Sequence, residues 1–255
     1  AARRTRGWAS ATAAATPTIP NLVDELDRVG FESAAILPIA LGLPFGDDLT
    51  ESWLAAIARA ERRERLIPFA SVHPSSSDAV AQLRKFAAGG ARGVKLHPEC
   101  QRFFPDADDA MAVYAVCEEL GLPILFHAGR SGIEPTFMRK YALIRRWEEP
   151  VRAFPRLQFV LGHAGARDVD DAVELARAHD NVWLEITGQG VTKLDEILVR
   201  VGPDKLVFGS DWPFYPLAAT LAKVLLVTEK RRSARAAILR DNAERIFAAA
   251  RAAAA

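Results

Sequence analysis

Three side chains that can bind a metal or transfer a proton stand at the ends of short apolar runs. His127 and His163 each follow such a run and precede Ala-Gly, and Asp211 follows a third run and precedes Trp-Pro. Imidazole nitrogens and carboxylate oxygens are donors that bind divalent metals in proteins. A bound metal would lower the pKa of a coordinated water to about 7, and a remaining histidine or carboxylate could move the proton. We therefore predict that the three residues meet at one site.

Each of these residues also has a structural interpretation, because a lone buried histidine is usually a satisfied part of a core. Two strand-terminal histidines in the same context, together with a strand-terminal aspartate, favour a functional site.

Lys95 and His97 are predicted to point to the same face of one strand, since side chains alternate along a strand. Lys95 could be a carbamylated metal ligand, a partner for a substrate carboxylate, or an ion-pair partner of Glu185; we favour the last two roles. His97 precedes a proline, so it either ends its strand or faces the site.

Two residues just beyond the strand ends are candidates for contact with a substrate. Arg130 comes three residues after His127 and could bind a carboxylate, although loop arginines are usually solvated. Trp212 follows Asp211 and could form the wall of a pocket, the alternative being packing at the rim of the fold. With Lys95 and His97, these residues complete the predicted substrate-binding set.

The elements that position these residues repeat along the chain. Seven apolar runs are predicted as strands: Ala34–Ile39, Leu66–Val72, Gly93–Pro98, Pro123–His127, Leu157–His163, Val182–Thr187 and Leu206–Asp211. Helical patterns precede and separate them: Asn21 (as the cap) to Gly30, Glu51–Glu64, Ser75–Ala88, Asp108–Leu120, Tyr141–Phe154, Val169–Ala178 and Leu194–Val201. None of the strands shows a polar face, which is typical of a parallel sheet covered by helices on both sides.

This alternation predicts an α/β fold. A doubly wound sheet and a (β/α)₈ TIM barrel both fit, and the barrel is favoured by the number of repeats and by a length of 255 residues, near the roughly 250 typical of that fold. No strand is recognisable before Asn21, so the barrel is expected to lack its first strand. The predicted divisions are a poorly patterned segment 1–20, a barrel domain 21–248 and an alanine-rich tail 249–255.

The composition limits the classes of partner. A formal net charge of +1 gives no reason to expect binding to nucleic acid or to a membrane. The two cysteines have no metal-ligand spacing and favour a reducing, cytoplasmic setting. We expect a small-molecule substrate, and the composition leaves room for a homodimer.

At these residues the sequence resembles the amidohydrolase-related branch of the amidohydrolase superfamily, metal-dependent TIM barrels that include aminocarboxymuconate semialdehyde decarboxylase. The resemblance covers about Asn21 to Phe247. The matching stretches are Gly93-Val94-Lys95-Leu96-His97-Pro98, Phe126-His127-Ala128-Gly129, Gly162-His163-Ala164-Gly165, Gly209-Ser210-Asp211-Trp212-Pro213 and Asn242-Ala243-Glu244-Arg245-Ile246-Phe247.

The resemblance implies roles for three residues. His127 is a metal ligand, His163 is a catalytic acid or base or a second ligand, and Asp211 is a ligand that also orients or deprotonates the water. The implied metal is Zn²⁺, with Mn²⁺ as the alternative. The implied activity is hydrolysis of a small, carboxylated or aromatic substrate by a metal-activated water, with non-hydrolytic decarboxylation as the alternative.

One departure from the family pattern affects the metal. The family's first strand ends in a His-x-His pair that supplies two ligands, and none of the five histidines of this chain forms such a pair. Either the chain starts after that strand or the pair has been lost. In the second case the chain is expected to be a non-catalytic barrel that binds a ligand or a partner. A barrel without one strand is also expected to expose two sheet edges.

Overall fold

The computed structural model describes residues 18–41 and 49–254. Within these ranges the chain forms seven short strands, β1 to β7 in chain order: Ala34–Ile36, Leu66–Pro68, Val94–Leu96, Ile124–Phe126, Phe159–Leu161, Val182–Glu185 and Leu206–Val207. The α-helices are Ile19–Val29, Leu49–Arg59, Ala79–Ala88, Pro98–Gln101, Asp108–Glu119, Glu148–Ala153, Val169–Ala178, Val191–Val201, Leu217–Val227, Arg232–Ala236 and Asn242–Ala253.

All paired strands are parallel and follow the chain order. β1 pairs with β2, and β3 to β7 form a five-stranded sheet. A single parallel bridge between Ala70 and Val94 joins the two sheets, and the backbone N–H of Lys95 donates to the carbonyl of Ala70 at 2.8 Å. The strands therefore succeed one another around one side of a barrel, with a helix crossing between neighbours as parallel pairing requires.

The two faces of the sheet bury different sets of residues. The helix-facing positions of the strands belong to the main hydrophobic core: Val94, Leu96, Ile124, Phe126, Phe159, Leu161, Val182, Leu184 and Leu206. The alternate positions Leu125, Val160, Trp183 and Val207 form a second cluster with Ile246 of the last helix. Lys95 lies opposite Leu125 in the register between β3 and β4, so the lysine shares the face of this second cluster.

Side chains, rather than an eighth strand, cover the region between β7 and β1 in the described part of the chain. Phe31 stacks on Phe208 with ring centroids 4.6 Å apart. Leu22 and Leu26 of the first helix pack in one apolar cluster with Leu217. The predicted segment before Asn21 lies largely outside the described residues, so the expectation of a missing first strand remains an expectation.

Several predicted element bounds are wrong, and two have clear physical reasons. The first helix begins at Ile19 and not after Asn21, because Thr18 is the N-cap and accepts a hydrogen bond from the N–H of Asn21 at 3.3 Å. The predicted helix Tyr141–Phe154 is only α-helical from Glu148 to Ala153, with two 3₁₀ turns before it. Pro150 explains this, because proline is tolerated only in the first turn of a helix.

Other differences are matters of length. The strands are shorter than the apolar runs that predicted them, since the chain leaves the sheet before the polar residues at the mouth of the barrel. The last helix continues to Ala253 and so includes most of the predicted alanine-rich tail. Among the described residues, no helix is long and apolar enough to cross a bilayer.

Candidate active site

Three histidines gather where β3, β4 and β5 end. The rings of His97 and His127 stack with centroids 4.1 Å apart and an angle of 7° between their planes. His163 meets His127 edge to face at 4.9 Å. Each histidine comes at most two residues after the end of its strand, so the parallel pairing of the three strands brings the rings together. His127 and His163 are thus in contact, as predicted, and His97 lies beside them.

The environment keeps two of these imidazoles neutral. Burial lowers the pKa of His97 to about 3, and Lys95 and His163 add to the effect. Burial, then the charges of His97, Lys95 and His163, also places the pKa of His127 well below its ordinary value. Nδ1 of His97 accepts the backbone N–H of Cys100 at 3.3 Å, so a neutral His97 carries its proton on Nε2 and donates there.

Lys95 is a buried cation at the same place. The residue is only 8% exposed, and burial lowers its pKa to about 8, against the opposing charges of Asp211 and Glu185. Among the described residues, none of the ion pairs involves Lys95. The predicted pairing with Glu185 is not formed as an ion pair, because that carboxylate is engaged elsewhere. Lys95 is therefore a positive charge without a carboxylate partner in this part of the chain.

Glu185 holds the backbone at His163. Its Oε2 accepts the N–H of His163 at 3.1 Å, and its Oε1 accepts the N–H of Thr187 at 2.7 Å and also the Thr187 hydroxyl. A Cβ at Gly209 would overlap this carboxylate, so glycine is needed where β7 leads towards Asp211. Glu185 is thus a positioning residue that links the ends of β5, β6 and β7.

The turn that carries His163 is left-handed over several residues. His163, Ala164, Gly165 and Ala166 all have positive φ, with values of 57°, 48°, 78° and 50°. Such backbone is unfavourable for alanine, so the surrounding contacts must hold it. The side-chain amide of Gln189 does so by donating to the carbonyl of His163 at 2.6 Å.

Gly129 packs directly against this turn. It has φ of 75°, and a Cβ added there would overlap the carbonyl oxygen of Gly165. We expect Gly129→Ala to lower the free energy of unfolding by roughly 2–4 kcal/mol, because backbone would have to move. Gly30→Ala is the matched control, with φ of 78° and open space around the added Cβ. Urea denaturation measures the free energy of unfolding of both variants. An equal decrease in the two would contradict the close approach of Gly129 to Gly165.

Arg130 is engaged in an ion pair with a buried carboxylate. Its backbone N–H donates to Oδ2 of Asp168 at 2.9 Å, and its guanidinium contacts both carboxylate oxygens. The carbonyl of Arg130 also accepts the N–H of Arg167 at 3.0 Å. Arg130 therefore ties the loop after β4 to the loop after β5. Its predicted contact with a substrate carboxylate stays a prediction.

Asp211 lies near Lys95, and Trp212 follows it in the chain. Asp211 is exposed and has φ of 54°, and it lies close enough to Lys95 to oppose the lowering of the lysine pKa. Trp212 is partly buried and packs against the apolar cluster of the first helix. Trp212 thus packs against other side chains, as the alternative interpretation predicted. Its contact with a substrate stays a prediction.

Glu99 lies at the site but was not predicted from the sequence. This residue follows His97-Pro98 in the short helix after β3 and is 3% exposed. Its Oε2 lies 3.4 Å from Nε2 of His127, yet in the described part of the chain neither Glu99 Oε1 nor His127 Nε2 has a hydrogen-bond partner. Burial raises the pKa of Glu99 to about 7, and Glu134 contributes. An acidic residue directly after a strand-terminal His-Pro was the available signal.

The predicted metal set is not assembled as a metal centre. Within residues 18–41 and 49–254, no group of three or more His, Cys, Asp or Glu side chains is placed to hold a metal ion. A catalytic zinc takes three protein ligands. His127, His163 and Asp211 therefore do not fit a resident metal by themselves, and we derive no chemical step from one.

Comparison with known proteins identifies the family and the fold. The model of the amidohydrolase family matches residues 35–249. Among curated proteins, none matches the sequence. An uncharacterized TIM-barrel protein from Bordetella bronchiseptica is similar in structure, with 22% identity, a TM-score of 0.74, and coverage of 91% of this chain and 83% of that one. The prediction of a TIM-barrel type of fold is thus confirmed, in the form of a partial barrel.

Two further solved structures are of proteins named for an activity. One is a probable 2-pyrone-4,6-dicarboxylic acid hydrolase from Acinetobacter baumannii with citric acid bound (17% identity, TM-score 0.69, coverage 91% and 89%). The other is a 5-carboxyvanillate decarboxylase from Novosphingobium aromaticivorans complexed with manganese and a nitrobenzoic acid (15% identity, TM-score 0.70, coverage 91% and 84%). At these identities the likeness shows the fold alone.

Proposed function

The chain belongs to the amidohydrolase family, and on that premise we propose that it is a hydrolase of a small, carboxylated, ring-shaped substrate. The observation that carries this proposal is Lys95, a buried lysine with a lowered pKa near the histidine cluster and with no ion pair among the described residues. An unpaired buried charge is unfavourable, and a substrate carboxylate would relieve this cost. The similarity in fold to a probable dicarboxylic acid hydrolase and a carboxyvanillate decarboxylase supports the substrate class.

The histidines supply the proton transfers. An imidazole nitrogen can accept a proton from water as water attacks a carbonyl carbon, and it can return that proton to the leaving oxygen. We assign this role to His163, whose backbone is fixed by Glu185 and Gln189. His97 donates from Nε2 to a substrate oxygen, since its Nδ1 is already occupied.

A divalent cation is the proposed cofactor, on the ground of family membership. We propose zinc, with manganese as the alternative because a structural relative is complexed with it. Such an ion would act as a Lewis acid and would lower the pKa of a bound water. The residues of this chain hold the substrate carboxylate, orient the ring and move the proton in the scheme above.

Decarboxylation is the second candidate activity. The same lysine and histidines could hold a ring carboxylate while an acid protonates the ring carbon, and the likeness to a decarboxylase favours testing it. A non-catalytic barrel that only binds an acid is the third alternative, which the absent His-x-His pair motivates.

Activity measurements separate the three alternatives. The purified protein, supplied with Zn²⁺ or Mn²⁺, is incubated with cyclic esters that carry carboxylates and with hydroxybenzoates. Ring opening followed by absorbance is the result we expect. Release of CO₂ without ring opening would favour the decarboxylase, and binding of these acids without turnover would contradict an enzyme.

Binding of a carboxylate inhibitor should weaken above pH 8. The free enzyme carries a charged Lys95 below its pKa of about 8, and the charge is lost as the pH rises through that value. We expect the inhibition constant of benzoate to be constant from pH 6.5 to 7.5 and to increase about tenfold for each pH unit well above 8. Competitive inhibition by benzoate, measured across this pH range, checks the prediction. An inhibition constant that does not change up to pH 9.5 would exclude Lys95 as the charge that binds the carboxylate.

A further inference from the structure

We propose that Gln101 is a positioning residue that fixes His97 in the active site. Gln101 ends the short helix Pro98–Gln101, which directly follows His97, and it is 1% exposed. A side chain buried this deeply offers no surface to a substrate, so it acts through the residues that it holds. In the proposed function His97 donates a hydrogen bond to a substrate oxygen, and the role of Gln101 rests on that function.

Gln101 binds both polar groups of the His97 main chain. The backbone N–H of His97 donates to Oε1 of Gln101 at 2.8 Å, and the carbonyl of His97 accepts the backbone N–H of Gln101 at 2.9 Å. The His97 ring is held separately, by the N–H of Cys100 on Nδ1 and by stacking on His127. Nε2 is therefore the ring atom left to donate to a ligand.

The other end of the Gln101 side chain joins the two sheets. Its Nε2 donates to the carbonyl of Ala40 at 2.6 Å and to the carbonyl of Val72 at 2.8 Å. Ala40 follows β1 and Val72 follows β2, whereas His97 follows β3. In the described part of the chain a single parallel bridge joins the two sheets. The place of His97 relative to β1 and β2 therefore depends on this one amide.

The orientation of the amide follows from its three partners. Oε1 of Gln101 faces an N–H donor, and Nε2 faces two carbonyl oxygens. Exchanging the amide oxygen and nitrogen would set donor against donor and oxygen against oxygen. An ionised carboxylate at this position could keep only the bond to His97, and a methionine could make none of the three.

The strand ends that Gln101 holds are themselves fixed by buried polar groups. The N–H of Ala40 donates to Oγ of Ser71 at 2.9 Å. The hydroxyl of Thr50 donates to the carbonyl of Ser71 and accepts the N–H of Ser71, both at 3.0 Å. Thr50 is 1% exposed and Ser71 is fully buried. A buried network whose members are satisfied favours one arrangement, so Gln101 has a rigid anchor.

Calorimetric titration with benzoate tests the role of Gln101. We expect the dissociation constant of benzoate to be about tenfold higher in Gln101→Met than in the wild type, which corresponds to the loss of about one hydrogen bond. In a His97→Asn background the same substitution should change the dissociation constant no further, because the residue that Gln101 positions is gone. An unchanged dissociation constant in Gln101→Met, or an equal increase in the His97→Asn background, would overturn the proposal.

Gln158→Met is the matched control for the loss of a buried glutamine. Gln158 lies directly before β5 and is 7% exposed, and its Oε1 accepts the indole N–H of Trp183 at 2.9 Å. Its substitution should lower the thermal midpoint, as Gln101→Met does, and should leave the affinity for benzoate unchanged. An equal loss of affinity in Gln158→Met would show general destabilisation and would overturn the specific role of Gln101.

Nitrogen NMR of the imidazole rings tests the same role without any ligand. We expect one set of His97 resonances in the wild type, with the proton on Nε2, and a second set or exchange broadening in Gln101→Met. Gln101→Glu keeps the bond to the His97 N–H, so it should show a smaller change and serves if Gln101→Met does not fold. His97 resonances identical in the wild type and both variants would overturn the proposal. A wild type that binds no carboxylate would remove the proposed function, while the NMR result would still decide whether Gln101 fixes His97.

Discussion

The Lys95→Met variant is expected to bind carboxylated substrates roughly 10²-fold or more weakly than the wild type while becoming more resistant to heat. Removing one partner of a buried charge pair costs about 2–5 kcal/mol of binding. The free energy of unfolding of Lys95→Met should be higher than that of the wild type. Lowering the pKa of Lys95 from 10.5 to about 8 corresponds to about 3 kcal/mol spent on holding the charged lysine at neutral pH.

The stability that Lys95→Met gains depends on pH. Between pH 8 and 10.5 the unfolded wild type binds a proton at Lys95 that the folded state does not, so wild-type stability rises with pH. The advantage of Lys95→Met in thermal denaturation should therefore be largest below pH 8 and should vanish above pH 10.5.

Lys205→Met is the matched control for this experiment. Lys205 is a partly buried lysine directly before β7, and its Nζ donates to the carbonyls of His179 and Asp180 at 2.9 and 3.1 Å. Its loss should lower stability without changing the KM. An increased KM in Lys205→Met, or an unchanged KM in Lys95→Met, would contradict a carboxylate site at Lys95.

His163→Asn should lower kcat by roughly 10²–10⁴-fold, the contribution typical of a general acid or base. Asparagine is the informative substitution because His163 has φ of 57°, and asparagine tolerates left-handed backbone better than alanine does. We therefore expect the thermal midpoint to stay close to that of the wild type. Steady-state kinetics and circular dichroism measure the two quantities on the same preparation.

His179→Asn controls for the loss of a histidine elsewhere in the chain. His179 follows the helix Val169–Ala178 and contacts Glu148 rather than the histidine cluster. Its substitution should leave kcat unchanged. If His163→Asn retains the kcat of the wild type, His163 is not the acid–base group.

The strands β3, β5, β6 and β7 were predictable because all of their positions are buried. Apolar runs such as Phe159–Leu161 have no exposed face, and each is followed at a regular interval by a crossover helix. Their order in the sheet then follows from the rules for parallel connections. The helix before β5 was predicted too long because the apolar periodicity outweighed Pro150.

The meeting of His127 and His163 was also predictable, since both follow neighbouring parallel strands. The left-handed turn was not, because Ala164 and Ala166 carry no local preference for positive φ. That conformation depends on contacts from Gly129 and Gln189, which are distant in sequence. Glu99 was missed for the same kind of reason: its proximity to His127 arises only from the pairing of β3 with β4.

A crystal structure of the protein with an aromatic dicarboxylate such as isophthalate would show whether Lys95 binds the carboxylate of a substrate. We expect one carboxylate within about 3 Å of Nζ of Lys95, with the aromatic ring against His97 and His163. A ligand held elsewhere, for example on Arg130 with Lys95 left uncontacted, would contradict a carboxylate-binding active site at this mouth of the barrel.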